Sequence, residues 1–238
     1  MPSASVAIAS RGALCKTVAV IPAFNEEARV AGVVRESSRY VDEVLVVDDG
    51  SMDATGEAAG KAGASVLRVP VNMGVGFASR IGAERAIEGM RAGAIVFIDA
   101  DGQHPPELIP RLLLKIGEGW EAVFTTRSGE TGNMPLVKRF GNGFLTWATN
   151  LFSGGRFTDT QTGFRAMTGE AWNRLRLESD GYEICSEIAW ETAKRGIKYC
   201  EVPIPAKYDS WTRAKGTDVV TGIKIFARLL FWRVSRWT

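Results

Sequence analysis

The sequence has few of the residues that mark several common kinds of protein site. Its 238 residues include one histidine, His104, and three cysteines, Cys15, Cys185 and Cys200, which are far apart and in no metal-binding spacing. A thiolate-bound metal is therefore not expected, and a single histidine argues against a Ser-His-Asp triad. Isolated cysteines of this kind are typical of core residues in a reducing compartment.

Excess charge and long apolar runs are also missing. The formal net charge is +2, so nucleic acid is not the expected partner. No apolar run approaches the ~18 residues that a membrane span needs. The short apolar patch at residues 6–9 has no basic region before it, so a signal peptide is not predicted.

Short apolar runs alternate with amphipathic segments through the first half of the chain. Strands are predicted at residues 17–21, 43–47, 65–69 and 94–98, with helices after the first three that end near residues 40, 62 and 92. This order predicts a Rossmann-like, doubly wound, mostly parallel sheet with helices on both faces. Further elements are predicted at residues 105–117 (helix), 121–125 (strand), 137–151 (helix), 182–195 (helix) and 198–202 (strand). We expect a lead-in at 1–16, one domain at 17–216 and a separate C-terminal helix at 217–238.

Two pairs of aspartates follow predicted strands. Asp48 and Asp49 end the second strand, and Asp99 and Asp101 end the fourth. Each pair alone is also typical of a turn or a helix cap. Because the carboxyl ends of parallel strands meet at one sheet edge, where ligands bind, the two pairs together predict a site for a divalent cation carrying a diphosphate. An EF-hand is excluded, since the sixth position from Asp99 is His104 rather than glycine.

Other motifs are weaker. Gly74-Val75-Gly76 lies between a strand and a helix, as a dinucleotide fingerprint does, but Ser79 occupies its third position and it follows the third strand. A nicotinamide-dependent oxidoreductase is thus the lesser alternative, and a noncatalytic nucleotide-binding protein is another. His104 is interpreted either as a neighbour that supports the metal ligands or, as is commoner, as an exposed loop residue before Pro105.

Residues 127–165 are rich in Gly, Thr, Asn and Arg. Long polar loops on an α/β scaffold usually carry function. The basic side chains here are either solvated surface charges or a clamp on phosphate groups, for which the guanidinium fork is suited; they are Arg127, Lys138, Arg139, Arg156 and Arg165.

The C-terminal helix is amphipathic and basic. At 100° per residue one narrow face carries Val219, Ile223, Phe226, Leu230, Val234 and Trp237. No acid follows Asp218, and Phe231 and Trp232 add apolar surface beyond that face. The helix is predicted either to pack on the domain or to lie in a membrane interface.

Five motifs in order resemble the family 2 glycosyltransferases of GT-A fold. They are Val20-Ile-Pro-Ala-Phe-Asn25-Glu26-Glu27, Val46-Val-Asp48-Asp49-Gly50-Ser51-Met-Asp53, Asn72-Met-Gly-Val-Gly76, Asp99-Ala-Asp101-Gly-Gln103-His-Pro-Pro-Glu107 and Thr162-Gly163-Phe164-Arg165. The sequence is most similar to the dolichyl- or polyprenyl-phosphate mannose synthase group, over about residues 17–215. It departs from that group at Gly74-Val75-Gly76, where a Gly-Lys-Gly is frequent, and in the segment 208–216.

The resemblance implies roles for particular residues. The donor nucleotide sugar would be bound by Pro22, Ala23, Asn25, Glu26, Asp49, Asn72, Ala100 and Gln103. Asp101, with Asp99 and Gln103, would hold Mg²⁺ or Mn²⁺. Arg127 and Arg139 would face an acceptor phosphate, and Arg165 is expected to close over the site. Apart from the resemblance, Glu187 or Glu183 on the helix after Asp180-Gly181-Tyr182 is the candidate for a base if the acceptor is a hydroxyl, although an exposed acid on a helix surface is the commoner case.

The resemblance therefore implies an inverting, metal-dependent transfer of a mannose- or glucose-type sugar from a GDP- or UDP-linked donor. The expected acceptor is a polyprenyl phosphate, whose oxygen is already anionic and needs no base. The alternative acceptor is a saccharide hydroxyl in cell-surface polysaccharide synthesis. We expect a cytoplasmic enzyme held peripherally on the inner face of the cell membrane by its C-terminal helix.

Overall fold

A seven-stranded sheet forms the centre of the molecule. The computed structural model describes residues 16–127, 136–205 and 219–235. The strands are β1 (Thr17–Ala23), β2 (Glu43–Asp49), β3 (Ser65–Val69), β4 (Ala94–Phe97), β5 (Ala122–Thr126), β6 (Arg165–Thr168) and β7 (Tyr199–Pro203). Their order in the sheet is β3-β2-β1-β4-β6-β5-β7. The prediction of a mostly parallel sheet is confirmed.

One strand runs against the others and was not predicted. β6 pairs antiparallel with both β4 and β5, and Phe97 of β4 lies opposite Arg165. It has only four residues and follows a long polar loop, so its apolar pattern is too short to identify. Because it is antiparallel, its amino end lies at the sheet edge where β4 has its carboxyl end. This reversal brings the segment 162–165 to the aspartates.

The helices connect these strands close to the predicted positions. They are α1 (Val30–Ser37), α2 (Thr55–Lys61), α3 (Val75–Glu84), α4 (Ile109–Gly117), α5 (Leu136–Ser153), α6 (Gly169–Asn173), α7 (Ile184–Lys194) and α8 (Val219–Ser235). A π turn continues α3 to Gly89, and a 3-10 turn at Pro106–Leu108 begins α4. The short α6 was not predicted; Thr168 caps it by accepting from the Ala171 amide at 3.1 Å.

Alternate residues of the central strands fill two cores. Ala19 and Ile21 belong to one cluster, which α1 and α4 cover, while Val18 and Val20 belong to the other, beneath α3 and α7. Side chains of successive strand residues point to opposite faces, so strands buried on both sides read as continuous apolar runs. Helices cover both faces of the sheet, as predicted.

The C-terminal helix α8 packs on the domain. Ile225, Leu229 and Trp232 are almost fully buried in a third cluster with Leu145 of α5 and Trp190 of α7. Of the two placements that the sequence left open, packing is therefore present, although the buried face is not the one built on Ile223, Leu230 and Val234, which are exposed. No helix in the described part of the chain is long and apolar enough to cross a membrane.

Some predictions concern residues outside the described ranges. These are the lead-in up to residue 15, the loop at 128–135, the segment 208–216, and the ends of the C-terminal segment at 217–218 and 236–238.

Candidate functional site

A cavity of about 450 Å³ opens at the carboxyl ends of β1, β2 and β4. Most of the predicted site residues line it: Pro22, Ala23, Glu26, Asp49, Asn72, Asp99, Ala100, Asp101, Gln103, Arg127 and Arg165. Its size is in the range of small-ligand sites. The sheet topology explains this convergence, because the loops after parallel neighbouring strands meet at one edge.

Asp99 is held in place by the histidine. His104 Nε2 lies 3.0 Å from Asp99 Oδ2, and the imidazole stacks on Phe164 with the ring centroids 5.6 Å apart. Burial alone would raise the pKa of Asp99, but the hydrogen bond to His104 and the charges of His104, Arg165 and Arg127 lower it below its usual value. The prediction that His104 is an exposed loop residue is wrong: it is buried against the site.

Asp101 is in a less favourable environment for a negative charge. Burial, and then the nearby charge of Asp99, raise the pKa of Asp101 above its usual value. Its Oδ1 accepts from the Gln103 amide at 3.0 Å, and its Oδ2 accepts from the Gln103 side chain. Arg29, which was not predicted, donates to the Asp101 carbonyl at 2.9 Å. Gln103 thus supports Asp101 in this structure.

These two carboxylates fit a divalent cation. After burial, the charge of Asp99 is the next cause that raises the pKa of Asp101, and a cation bound by these carboxylates would offset that repulsion. Within the described ranges no three Asp, Glu, His or Cys side chains are grouped so as to enclose a metal. Mg²⁺ commonly takes one or two carboxylates and completes its shell with phosphate oxygens and water. The donor set at Asp99 and Asp101 is of that open kind.

A close approach at Gly163 determines where Asp99 can lie. A Cβ at this position would lie 2.8 Å from Asp99 Oδ2 and 2.9 Å from its Cγ, and nearer still to Oδ1. Only glycine leaves room for the carboxylate there. The loop before β6 therefore forms the back of the aspartate site.

The cavity wall at the ends of β1, β2 and β3 is braced by hydrogen bonds between the loops that follow these strands. Asp49 accepts from the backbone amides of Met73 and Gly74 at 2.9 and 2.8 Å. Asn25 has a left-handed backbone with φ of 53°, and its Oδ1 accepts from the Met52 amide at 2.9 Å. Asn25, predicted as a donor contact, is not among the residues that line this cavity; its hydrogen bond to Met52 fixes the wall that they form.

The glycines of the apparent dinucleotide fingerprint have a packing role. The Gly76 amide donates to the Asp180 carbonyl at 2.7 Å, and a Cβ at Gly76 would lie 2.8 Å from the carbonyl carbon of Asp180. Arg80 also forms an ion pair with Asp180. These glycines let helix α3 approach the loop before α7.

Arg127 is presented at the cavity by a buried acid. Asp159 accepts from Arg127 Nε at 2.7 Å and from Nη2 at 3.0 Å, a two-point contact that fixes the guanidinium plane. Asp159 in turn accepts from the Gln161 amide at 3.0 Å. No spacing or motif in the sequence pairs Arg127 with Asp159; the fold brings the two residues together.

Arg165 lies deeper than expected. It is 2% exposed, and its Nη2 donates to the Thr162 carbonyl at 2.7 Å and lies 3.0 Å from Cys185 Sγ. Its guanidinium carbon is 5.8 Å from the centre of the Phe124 ring. Arg165 therefore acts on the site chiefly through its charge, which helps to lower the pKa of Asp99.

Two predicted residues are not at the cavity. Glu187 is fully buried and accepts from the amides of Glu178 and Ser179, at 3.1 and 2.9 Å, so it shapes the loop before α7. Neither Glu187 nor Glu183, the two predicted candidates for a base, is among the residues that line the cavity. Arg139 is an exposed residue of α5 outside the lining, whereas Asn142 of the same helix reaches the cavity.

Tyr182 and Phe24 also line the cavity, although neither was predicted as a site residue. Burial raises the pKa of Tyr182, and the charges of Asp99 and Asp101 add to this effect. The sequence signal for Tyr182 is its position directly after Asp180-Gly181, because this dipeptide predicts a turn and loop residues on an α/β scaffold often carry function.

Comparison with known proteins agrees with this geometry. The family model described as "Glycosyl transferase family 2" matches residues 18–179. A UDP-N-acetylglucosamine–dolichyl-phosphate N-acetylglucosaminyltransferase of Methanococcus voltae is 34% identical over 91% of this chain and 96% of its own. An undecaprenyl-phosphate mannosyltransferase of Micrococcus luteus is 31% identical over 93% and 96%, respectively.

The fold is shared with solved structures. Glucosyl-3-phosphoglycerate synthase of Mycobacterium tuberculosis, in complex with UDP, has a TM-score of 0.75 at 24% identity, over 97% of this chain and 83% of its own. The same enzyme was solved with Mn²⁺, UDP-glucose and phosphoglyceric acid, with a TM-score of 0.72. At this identity the likeness establishes the GT-A fold alone. Together with the family match over residues 18–179, it shows that the chain is an enzyme of glycosyltransferase family 2.

Proposed function

We propose that this enzyme transfers a sugar, of mannose or glucose type, from a GDP- or UDP-linked donor to a polyprenyl phosphate, with inversion at the sugar carbon. The observation that carries the proposal is the Asp99–Asp101 pair, which faces the same cavity as Arg127. The carboxylates suit the diphosphate end of a donor through a cation, and the guanidinium suits an acceptor phosphate.

Mg²⁺ or Mn²⁺ would be held by Asp99 and Asp101, with Gln103 orienting Asp101. When bound, the ion neutralises charge on the departing nucleoside diphosphate. The chain's own groups hold this pair in place: His104 and Gly163 fix Asp99, and Arg29 fixes the backbone at Asp101. The Mn²⁺ and UDP-glucose bound to the M. tuberculosis enzyme support this assignment.

Donor binding is proposed for the wall that carries Pro22, Ala23, Phe24, Asp49 and Asn72, all of which line the cavity. Asp49 holds the loop of Asn72 through the amides of the two residues that follow it. The nucleoside would lie on this side, because the diphosphate must reach the aspartates at the end of β4.

The acceptor argument rests on Arg127, which lines the cavity. Of the described lining residues that could act as a base, Glu26, Asp49, Asp99 and Asp101 are on the proposed donor or metal side, and His104 contacts Asp99. A saccharide hydroxyl would need a base on the acceptor side, whereas a phosphate oxygen is already anionic. Arg127 would position that oxygen for in-line attack. The relatives named for transfer to dolichyl and undecaprenyl phosphate support this choice.

A lipid acceptor requires access to a membrane surface. We propose that the enzyme is peripheral on the cytoplasmic face of the cell membrane and that α8 contributes to this contact. Its exposed side carries Ile223, Leu230 and Val234 together with basic residues. This combination is typical of helices that lie in an interface.

A substrate panel tests the proposal. Purified enzyme should transfer sugar from one or more UDP- or GDP-sugars to polyprenyl phosphate in detergent with Mg²⁺ or Mn²⁺, and Asp101→Ala should lose that transfer. Glu57→Ala is the matched control, since Glu57 is an exposed acid of α2 that pairs with Lys61. Transfer to a saccharide hydroxyl but to no prenyl phosphate would overturn the acceptor assignment.

A further inference from the structure

Helix α5 has an exposed apolar stripe. Phe140, Phe144, Trp147 and Leu151 are 75%, 47%, 56% and 58% exposed. Their spacing of four, three and four residues places them on one face of the helix. The opposite side of α5 is buried through Leu145 and Ala148. An outward row of two phenylalanines, a tryptophan and a leucine is not explained by the core.

Helix α8 has a similar stripe. Ile223, Leu230 and Val234 are 63%, 41% and 80% exposed, and Phe231 beside them is 59% exposed. At 100° per residue the first three lie on one face, roughly opposite the buried Trp232. The helix is therefore apolar on two sides, and one side is used against the domain.

The two helices meet beside these stripes. The ring of Phe144, in the α5 stripe, is 5.0 Å from the ring of the partly buried Phe226 of α8, measured between centroids. Phe226 lies next to Ile223 and Leu230 around α8, so the two stripes flank this contact. More than half of the exposed large hydrophobic side chains in the described chain belong to these two helices. An apolar surface of this extent marks an interaction site. We name it the two-helix face: Phe140, Phe144, Trp147 and Leu151 of α5 with Ile223, Leu230, Phe231 and Val234 of α8.

The charge around the two-helix face has one sign. Neither Leu136–Ser153 nor Val219–Ser235 contains an aspartate or glutamate. Arg139, Lys224 and Arg228 are exposed. Lys224 and Arg228 follow Phe231 around the helix, so they border the apolar stripe directly. An apolar surface bordered by cations complements an anionic lipid headgroup layer.

This charge also argues against a second copy of the chain. In a symmetric dimer the two-helix face would meet itself, so basic residues would oppose basic residues with no acid from either helix between them. Acidic lipid headgroups have no such conflict.

The position of α5 relates the face to the catalytic cavity. Asn142 lines the cavity, while Phe140 and Phe144 of the same turn are exposed on the face. Helix α5 therefore contributes both to the cavity that Arg127 lines and to the two-helix face.

We infer that α5 and α8 together form a docking surface for an anionic bilayer, through the two-helix face and its basic border. This inference adds α5 to the membrane contact proposed above and specifies that the lipid is anionic. Its connection to the acceptor rests on the proposed function.

The test is sedimentation with vesicles that contain no acceptor. Wild-type protein should bind phosphatidylcholine vesicles that contain phosphatidylglycerol, bind pure phosphatidylcholine vesicles more weakly, and dissociate as salt is raised. Trp147→Ser/Leu151→Ser and, separately, Phe231→Ser/Val234→Ser should each weaken the partition by about tenfold or more. Leu114→Ser/Val66→Ser is the matched control, since both side chains are exposed but lie on α4 and β3.

Folding and chemistry are checked separately. Each variant should keep its thermal transition and its transfer to a short, water-soluble prenyl phosphate, while losing transfer to vesicle-embedded acceptor. Undiminished vesicle binding by the α5 variant would overturn the inference, as would equal binding to neutral vesicles or a solution dimer that this variant abolishes. Vesicle binding without transfer to any prenyl phosphate would instead contradict the proposed function, while the inference of a docking surface would still hold.

Discussion

Gly163→Ala tests whether the geometry of Asp99 is set by the loop before β6. The added Cβ would lie within 3 Å of three atoms of the Asp99 carboxyl group. Cβ atoms do not approach carboxylates this closely, and the side chain is the part that can move. We therefore expect Asp99 to rotate away from Gly163, which breaks its 3.0 Å contact with His104.

The magnitude follows from what is lost. A hydrogen bond to a charged group contributes about 1.5–3 kcal/mol, so the free energy of unfolding should fall by roughly that amount. Displacing a metal-binding carboxylate from its support typically costs about 10- to 100-fold in metal affinity or activity. The assay is transfer rate against Mn²⁺ concentration, together with urea unfolding of the metal-free protein.

Gly32→Ala is the matched control. Gly32 is exposed within α1, and a Cβ there meets no atom within 4 Å. This change should leave transfer unaltered and stabilise the protein by about 0.5–1 kcal/mol, because alanine favours helix more than glycine. If Gly163→Ala had the Mn²⁺ dependence and stability of wild type, the role assigned to this close approach would be refuted.

Three further changes have distinct expected results. Because the pKa of Asp101 is raised in the folded protein, the charged carboxylate lowers the free energy of unfolding. Asp101→Asn should therefore stabilise the metal-free protein at pH values above that raised pKa. The gain should vanish once the pH falls below the ordinary pKa of aspartate, where Asp101 is protonated in both the folded and the unfolded states. A constant difference across the pH range in thermal melts would contradict this. Asp159→Asn should loosen Arg127 and raise the KM for prenyl phosphate more than that for donor; equal changes in both would show that Arg127 does not face the acceptor. Trp232→Ala should remove the contact with Trp190 and destabilise by about 3–5 kcal/mol, detected as earlier proteolysis near α8; unchanged cleavage would show that α8 docking does not depend on this contact.

The sequence predicted the parallel half of the fold well because each element there is signalled locally. The strand Thr17–Ala23 is a run of β-branched and small apolar residues, and the turn after Asp49 begins the next helix. β6 was missed because four residues at Arg165–Thr168 gain their strand conformation from pairing with β4 and β5, which is a tertiary effect.

The site was predictable where residues are close in sequence and not where they are brought together by the fold. Asp99, Asp101 and Gln103 lie within five positions of the sequence, and all three line the cavity. Arg127 and Asp159 are 32 residues apart in the sequence, and Asp159 lies in the loop before the antiparallel strand β6, which was not predicted. Glu187 looked like a helix-surface acid, but loop amides bury it, which the local sequence does not indicate.

The α8 helix shows a limit of periodicity. Its hydrophobic residues cover two sides of the helix, so the position of one apolar stripe did not show which side is buried. The buried side carries Ile225, Leu229 and Trp232, which pack in one cluster with Trp190. Which side of such a helix is buried is decided by the shape of its partner.

The most direct test of the central claim is the binding of a nucleoside diphosphate to the aspartate pair. Calorimetry should show that UDP or GDP binds wild-type protein tightly only with Mn²⁺ or Mg²⁺, and that Asp101→Ala binds no better with the metal than without it. Equal affinity of wild type for both nucleotides with and without metal, or full metal-dependent binding by Asp101→Ala, would contradict the assignment of Asp99 and Asp101 as the metal site.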